Sequence, residues 1–167
     1  MTTADGDTDL VTEPTTDDPD ERISLSMSLL MTPDMANFSG NVHGGTLLKL
    51  LDQVAYSCAS RYSRHYAVTL SVDRVIFREP IRVGELLTLR ASVNYTGRTS
   101  MEVGIRVDTE NVLTGQRRHT NSCYFTMVAT DENGRPCAVP QLVPRSDTQL
   151  RRQREAQARR AALREAQ

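Results

Sequence analysis

Residues 37–52 read NFSGNVHGGTLLKLLD, and this stretch decides the fold because a glycine-rich loop runs directly into the start of a helix. Gly44 and Gly45 leave the backbone free to turn sharply and to approach a ligand closely. The helix that follows points its first unpaired N–H groups at the same place, and its positive end favours negative charge. The stretch therefore predicts a helix start that can hold an anionic or partly negative group.

An amphipathic helix is predicted from Gly45 to about Tyr62, because the apolar residues recur with the 3.6-residue period of a helix. These residues are Leu47, Leu48, Leu51, Val54, Ala55, Cys58, Ala59 and Tyr62. Asp52 is the only acid between Asp34 and Asp73. At about 100° per residue it falls on the border of the apolar face. It is either a partly exposed helix acid without a role or a functional carboxylate, and the nearby glycine pair strengthens the second interpretation.

Charge divides the chain of 167 residues into three parts. Residues 1–22 carry eight acids and one arginine, which predicts a disordered acidic tail. Residues 23–144 carry twelve basic and ten acidic residues, which predicts one globular domain for which nucleic acid is not an expected partner. Residues 145–167 carry seven arginines and three acids, and Ser146-Asp147 can cap a helix there. We expect this Arg-rich helical tail to be solvated and partly frayed, with an anionic partner as the alternative.

The number and spacing of cysteines and histidines argue against disulfide bonds and a metal site. Cys58, Cys123 and Cys137 form no CxxC pair and cannot all be paired, which indicates reduced, structural thiols. The three histidines show no HxxxH or HxH spacing, so we expect no metal site. No secretory leader and no run of 18 apolar residues occur, so we expect a cytoplasmic protein without a membrane span. The absence of GxSxG argues against a serine hydrolase.

Alternating segments predict a sheet of short-turn, antiparallel strands around the helix. The segments cover residues 23–29, 68–77 with a bulge near Asp73-Arg74, 87–95, 101–107, 119–127 and a short last strand near 137–139. One helix can cover only one face of such a sheet, and the second face of several strands is mixed in polarity. Part of the sheet or its edge therefore needs another subunit, and we expect at least a homodimer.

The stretch from Met31 to Asp52 resembles the hotdog-fold acyl-CoA thioesterases of the cytosolic acyl-CoA hydrolase type. The resemblance continues through residues 75–85, 95–101 and 110–115, and it covers about residues 24–140. It implies an α+β hotdog domain, in which a curved antiparallel sheet wraps one long central helix. It further implies dimers, commonly assembled as trimers of dimers, that hydrolyse fatty acyl-CoA to free fatty acid and CoA between two subunits.

The resemblance also implies roles for individual residues. Asp52 would be the catalytic carboxylate, and Asn37 would be its polar partner from the facing subunit. The backbone N–H of Gly44 or Gly45 would hold the thioester oxygen. Asp52 would act as a general base on water, although direct attack through an anhydride stays open. Since CoA is part of the substrate, no separate cofactor is expected.

Substrate binding is expected from a turn and from the loop before the helix. The turn Gly97-Arg98-Thr99-Ser100 falls where the family contacts the CoA arm, although Arg98 could be only a surface residue. Phe77 and His43 are further candidates for contact with the substrate. His43 could instead only pack or form a local hydrogen bond, and Asn37 could simply form a turn.

Two other functions compete with hydrolysis. A hotdog dehydratase or other acyl-thioester lyase would need a histidine working with a carboxylate, and His43 is the only loop candidate. A non-catalytic acyl-CoA-binding regulator would need a DNA-binding segment, which residues 1–22 cannot supply because they are acidic. The Arg-rich tail at residues 145–167 is the remaining candidate for such a segment, so the regulator stays an alternative.

Overall fold

A computed structural model describes residues 18–165 of the chain, in which five strands form one sheet against a long helix. The elements in chain order are β1 (Ser24–Leu30), α1 (Gly44–Ser63), β2 (Tyr66–Asp73), β3 (Glu85–Thr96), β4 (Ser100–Asn111), β5 (Arg117–Thr130) and α2 (Asp147–Glu165). The strands lie in the order β1-β3-β4-β5-β2, and every neighbouring pair is antiparallel. This arrangement confirms the predicted α+β hotdog fold.

The core lies between α1 and the inner face of the sheet. The apolar stripe of α1 is buried as its period predicts, and Leu51, Val54 and Cys58 are completely enclosed. Alternate residues of the three central strands face them, because side chains of a strand point to opposite faces in turn. The residues that these strands bury include Leu87, Leu89, Met101, Val103, Ile105, Phe125 and Met127.

The outer face of the sheet is partly covered by α2, which docks through one side while most of its side chains stay exposed. Arg159 donates to Glu102 on β4, Arg152 donates to Ser92 on β3, and Ala156 is buried between them. These contacts are mainly polar, so hydrophobic periodicity gave no signal for them. The argument that the second face needs another subunit is weakened accordingly, because the chain covers part of that face itself.

Two predicted strand features are wrong in detail. The bulge in β2 lies between Thr69 and Ser71 and not at Asp73-Arg74. The strand ends at Asp73, because Arg74 adopts a left-handed conformation with a φ of 43° and turns the chain away. Residues 137–139 form no strand, and an isolated bridge joins Thr130 and Pro136 just before them. The N–H of Cys137 donates to Ala129 O on β5, whereas the N–H of Val139 donates to Arg98 O in the β3–β4 turn, so the segment does not continue along one partner strand.

The predicted acidic tail ends earlier than residue 22. Its first seventeen residues lie outside the described part of the chain. Pro19–Arg22 forms a 3₁₀ helix in which Arg22 is buried. Asp20 pairs with Arg145 at 2.5 Å, so the segment before β1 contacts the segment that leads into α2. Within residues 18–165, neither α1 nor α2 offers an apolar stretch of the length that a bilayer requires.

Candidate active site

The start of α1 presents the backbone N–H of Gly44 without a partner among residues 18–165. The His43 imidazole caps the helix, and its Nδ1 accepts the N–H of Gly45 at 2.9 Å. The N–H of Gly44 has no acceptor among residues 18–165. Of the two glycines that the sequence could not separate, Gly44 is therefore the one whose N–H can bind a ligand. The local hydrogen bond weighed for His43 is present.

Asn37 forms a turn and keeps a free donor. Its Oδ1 accepts the N–H groups of Ser39 at 2.9 Å and Asn41 at 3.1 Å. Because two donors point at this atom, it is the carbonyl oxygen of the carboxamide, and the NH₂ group lies on the other side. That NH₂ has no acceptor within the described part of the chain. The turn expected as an alternative role is present, and it leaves the side chain able to donate.

Asn37 and Gly44 line one cavity of about 310 Å³. Phe77 forms part of its wall and lies over the first turn of α1, where a methyl group at Gly44 would be 3.5 Å from the ring. Leu47 and Ile81 add apolar surface. A cavity that combines apolar surface with two free N–H donors suits a polarised carbonyl group attached to an apolar chain.

Asp52 lies in a second cavity, further along α1. The Thr69 hydroxyl on β2 donates to Asp52 Oδ1 at 2.6 Å, which fixes the orientation of the carboxylate. The cavity measures about 470 Å³ and is open to solvent, with Tyr56 and Tyr66 on its wall. The two tyrosine rings are 5.3 Å apart. The site thus pairs an exposed carboxylate with aromatic surface.

One chain does not bring the two cavities together. Asp52 lies eight residues after Gly44 on the same helix, a separation of about 12 Å along its axis. The two cavities share no lining residue. A single thioester group therefore cannot contact Asp52 and Gly44 of the same chain at once.

The edge of the sheet beside Asp52 is apolar and open. Within the described part of the chain, strand β2 pairs with β5 on one side and with no strand on the other. Its exposed residues include Tyr66, Val68, Leu70 and Val72, with Leu70 69% exposed. Soluble proteins normally protect such an edge with charges, proline or a covering element. This edge is suited to pairing with another strand.

The turn between β3 and β4 lies away from both cavities, beside α2. Gly97 donates its N–H to Ser100 O at 2.8 Å. A side chain at Gly97 would lie 2.8 Å from Ser100 Oγ, so only glycine fits without displacing that hydroxyl. Arg98 is exposed, and Thr99 is half-buried. The turn residues predicted to contact CoA are thus grouped together, but apart from Asp52.

The two fully buried cysteines do not supply an alternative nucleophile. Burial raises the pKa of the Cys58 and Cys123 thiols to about 12. Both are therefore neutral at physiological pH, and a neutral thiol is a poor nucleophile. Within residues 18–165, no group of three or more His, Cys, Asp or Glu residues is arranged to hold a metal ion.

Known proteins with related sequences and structures agree with this architecture. The model of the thioesterase superfamily matches residues 39–115. The Helicobacter pylori protein VdlD is 53% identical over 81% of this chain and 77% of its own length. The rat cytosolic acyl coenzyme A thioester hydrolase is 36% identical over 80% of this chain, but this match spans only 36% of that longer protein.

Solved structures extend the likeness to the whole domain. A hexameric acyl-CoA thioesterase is 38% identical with a TM-score of 0.83, covering 87% of this chain and 94% of its own. A Staphylococcus aureus acyl-CoA hydrolase, solved with butyryl coenzyme A and coenzyme A, is 29% identical with a TM-score of 0.71 and covers 86% and 92%. The chain belongs to the hotdog-fold acyl-CoA thioesterase family. The predicted resemblance is confirmed.

Two features of this thioesterase domain escaped sequence reasoning. Thr69 lies in an alternating strand, and nothing in its neighbourhood in the sequence connects it with Asp52, seventeen positions earlier. Arg160 on α2 contacts the β3–β4 turn through Ser100. Both contacts arise from packing between distant segments, so no local pattern could reveal them.

Proposed function

We propose that this chain hydrolyses fatty acyl-CoA to free fatty acid and CoA in an active site shared by two subunits. The proposal rests on the observation that the catalytic groups of one chain lie at two separate cavities. Each chain holds a carboxylate at one cavity and two free N–H donors at another, and it leaves an apolar sheet edge open beside the carboxylate. Hydrolysis of a thioester needs both groups at one carbonyl carbon.

A two-fold axis would complete the site. When two copies of α1 run antiparallel past each other, Asp52 of one copy approaches the helix start of the other. The same contact then occurs twice, because a two-fold interface is self-complementary. Each dimer has two active sites, and the exposed apolar residues of β2 are buried between the subunits. The hexameric state of the similar thioesterase supports a homo-oligomer and is compatible with three such dimers.

The spacing of three residues supports their assignment to one site. Variants of the Staphylococcus aureus hydrolase have an aspartate, an asparagine or a threonine replaced by alanine, and the asparagine precedes the aspartate by 15 residues while the threonine follows it by 17. Asn37, Asp52 and Thr69 stand at the same separations here. The asparagine variant was solved in complex with coenzyme A. We therefore include Thr69 with Asp52 and Asn37.

In the proposed mechanism, Asp52 is the general base. It takes a proton from a water molecule as the water oxygen attacks the thioester carbonyl carbon, while Thr69 holds the carboxylate in place. The negative charge that develops on the carbonyl oxygen is held by the Gly44 N–H and the Asn37 NH₂ of the other subunit. One such donor typically stabilises the transition state by about 3 kcal/mol. The carbon–sulfur bond then breaks, and Asp52 returns the proton to the departing CoA sulfur.

Attack by Asp52 itself is the competing mechanism. Its carboxylate would form an anhydride with the acyl group, and water would then cleave that anhydride. Single turnover in ¹⁸O-labelled water separates the general base from an anhydride that water opens at the Asp52 carbon. A general base leaves all the label in the fatty acid, whereas an anhydride that water opens at the Asp52 carbon leaves label in the protein.

The activity is tested by incubating the purified protein with saturated acyl-CoA thioesters of increasing chain length and measuring free thiol. Thiol release supports hydrolysis, and the profile defines the preferred acyl chain. If no thiol is released at any chain length, the proposal is overturned, and the result favours the lyase or the acyl-CoA-binding regulator. The lyase has little support from His43, because Nδ1 of this residue is occupied as a helix cap.

Mixing two inactive variants tests the shared site. Asp52→Asn and Asn37→Ala are each expected to be nearly inactive as homo-oligomers. When they are unfolded and refolded together, each mixed dimer contains one site with both native residues. About a quarter of the wild-type activity should return, since half of the dimers are mixed and each has one intact site of two. No recovery, with mixed dimers demonstrated by mass spectrometry, would place both residues in one chain.

A further inference from the structure

Two adjacent arginines on α2 have different environments. Arg159 is paired with Glu102, with distances of 2.6 Å and 3.3 Å, and its guanidinium stacks 3.6 Å from the centre of the Tyr124 ring. Arg160 forms no ion pair with any residue in 18–165. Its contacts are a hydrogen bond to Ser100 Oγ at 3.1 Å and the Tyr95 ring at 5.4 Å. Arg159 anchors the helix, whereas the charge of Arg160 is not neutralised.

The turn beside Arg160 is fixed to the rest of the domain through its carbonyl oxygens. The carbonyl oxygens of Gly97, Arg98 and Thr99 all accept hydrogen bonds, from Gln141 Nε2 at 3.0 Å, Val139 N at 3.1 Å and Ala129 N at 3.0 Å respectively. The N–H groups of Arg98 and Thr99 have no acceptor within the described residues. The turn is thus held by its acceptors and leaves two amide donors for a ligand.

Among residues 18–165, no carboxylate pairs with the positive charge at this turn. The exposed Arg98 side chain makes no ion pair or hydrogen bond to any residue in 18–165. The nearby acid, Glu102, is already bound by Arg159. Two unneutralised guanidinium groups and two free amides therefore lie within one short segment of surface. Arginine with backbone N–H donors is a typical arrangement for binding phosphate.

We propose that Arg160, carried by α2 beside Ser100, is an additional residue that binds the phosphates of CoA. The β3–β4 turn next to it is the segment that the family resemblance already assigns to the CoA arm. This inference rests on the proposed function, because it takes CoA thioesters as the substrate. It gives the Arg-rich C-terminal helix a defined role. Arg159 holds the helix on the sheet, and that contact positions Arg160 beside Ser100.

Calorimetry and kinetics with two substrates test this role. One substrate is an acyl-CoA, and the other is the same acyl group on N-acetylcysteamine, which has the thioester but no phosphate. Arg160→Gln should raise KM for acyl-CoA about tenfold, as expected from the loss of one charge-assisted hydrogen bond, and should leave turnover of the N-acetylcysteamine ester unchanged. Arg160→Lys, which keeps the charge, should retain most of the affinity. Arg154→Gln is the matched control, because Arg154 is exposed on the same helix.

Binding of CoA and of dephospho-CoA identifies the phosphate. Affinity lost only for CoA assigns the 3′-phosphate, and affinity lost for both assigns the pyrophosphate; either result supports the proposal. It is overturned if Arg160→Gln weakens CoA no more than Arg154→Gln does, or if it slows both substrates equally. Arg160-dependent CoA binding by a wild-type protein that releases no thiol would instead refute hydrolysis alone. Thermal melting of each variant checks that α2 stays docked.

Discussion

The two helices cover opposite faces of the same sheet by different means. Helix α1 packs on the inner face through completely buried apolar side chains such as Leu51 and Val54. Helix α2 lies on the outer face, where Ala156 is its one buried residue among those described, and arginines make its contacts. Apolar burial stabilises in proportion to area, whereas partly exposed ion pairs contribute little. We conclude that α1 determines the fold and that α2 can be specialised for binding.

The largest effect is expected where α1 meets solvent. Asp52→Asn should lower kcat by about 10²- to 10⁴-fold, the usual contribution of a general base. Stability should change little, because the Asp52 side chain is exposed. Steady-state thiol release measures the change. Lys49→Gln, an exposed change one turn earlier, is the control, and unchanged turnover in Asp52→Asn would remove Asp52 from the chemistry.

The stability difference between the helices can be measured directly. Leu51→Ala on α1 should lower the free energy of unfolding by about 2–5 kcal/mol, because it opens a cavity in the core. Leu150→Ala on α2 should cost less than about 0.5 kcal/mol, since that side chain is exposed. Denaturant unfolding at one protein concentration compares them. Equal losses would mean that α2 contributes to the core as much as α1 does.

The contact between α1 and the sheet edge should have a smaller effect on catalysis. Thr69→Val keeps the shape of the side chain but removes the hydrogen bond to Asp52. A bond to a charged group contributes about 1.5–3 kcal/mol, so kcat should fall about ten- to a hundredfold. Thr69→Ser restores the hydroxyl and should recover most of the activity. If both variants are equally slow, packing of the threonine methyl group is responsible instead.

The smallest effect is expected on the outer face. Burial opposes the charge of Arg159, but the hydrogen bond and charge of Glu102 outweigh it, so the pKa of Arg159 lies above its ordinary value. Glu102→Gln should therefore lower the free energy of unfolding by about 1 kcal/mol. Glu155→Gln breaks the more exposed pair with Arg151, and should cost less than about 0.5 kcal/mol. A larger loss in Glu155→Gln would reverse this ranking.

Hydrophobic periodicity was sufficient to predict helices and strands whose structure depends mainly on their own residues. The stripe through Leu51 predicted α1 to within one residue at each end, and alternation predicted the main strands. The clearest error occurs where a left-handed residue ends a strand, as at Arg74. Hydrophobic alternation continues past such residues in the sequence, although the backbone hydrogen bonding does not.

The candidate site was predictable only as a set of residues. The glycine pair and the family resemblance predicted Asn37, Gly44, Gly45 and Asp52 as site residues. They could not decide whether the N–H of Gly44 or that of Gly45 is free to bind the thioester oxygen. The cap formed by His43 on Gly45 did so, because it leaves the Gly44 N–H free. The turn at Asn37 likewise determined which end of its carboxamide can donate.

The sequence by itself determined a long helix with one acid at the border of its apolar face, alternating segments that form antiparallel strands, and three segments of different charge. These features depend on the spacing of residue types along the chain. Only the tertiary structure decided that Thr69 holds Asp52, that α2 docks through Arg159, and that Arg160 reaches the β3–β4 turn. Each of these contacts joins residues far apart in sequence. The geometry of these contacts depends on how the helices and strands pack, so it cannot be predicted from residue spacing within one segment.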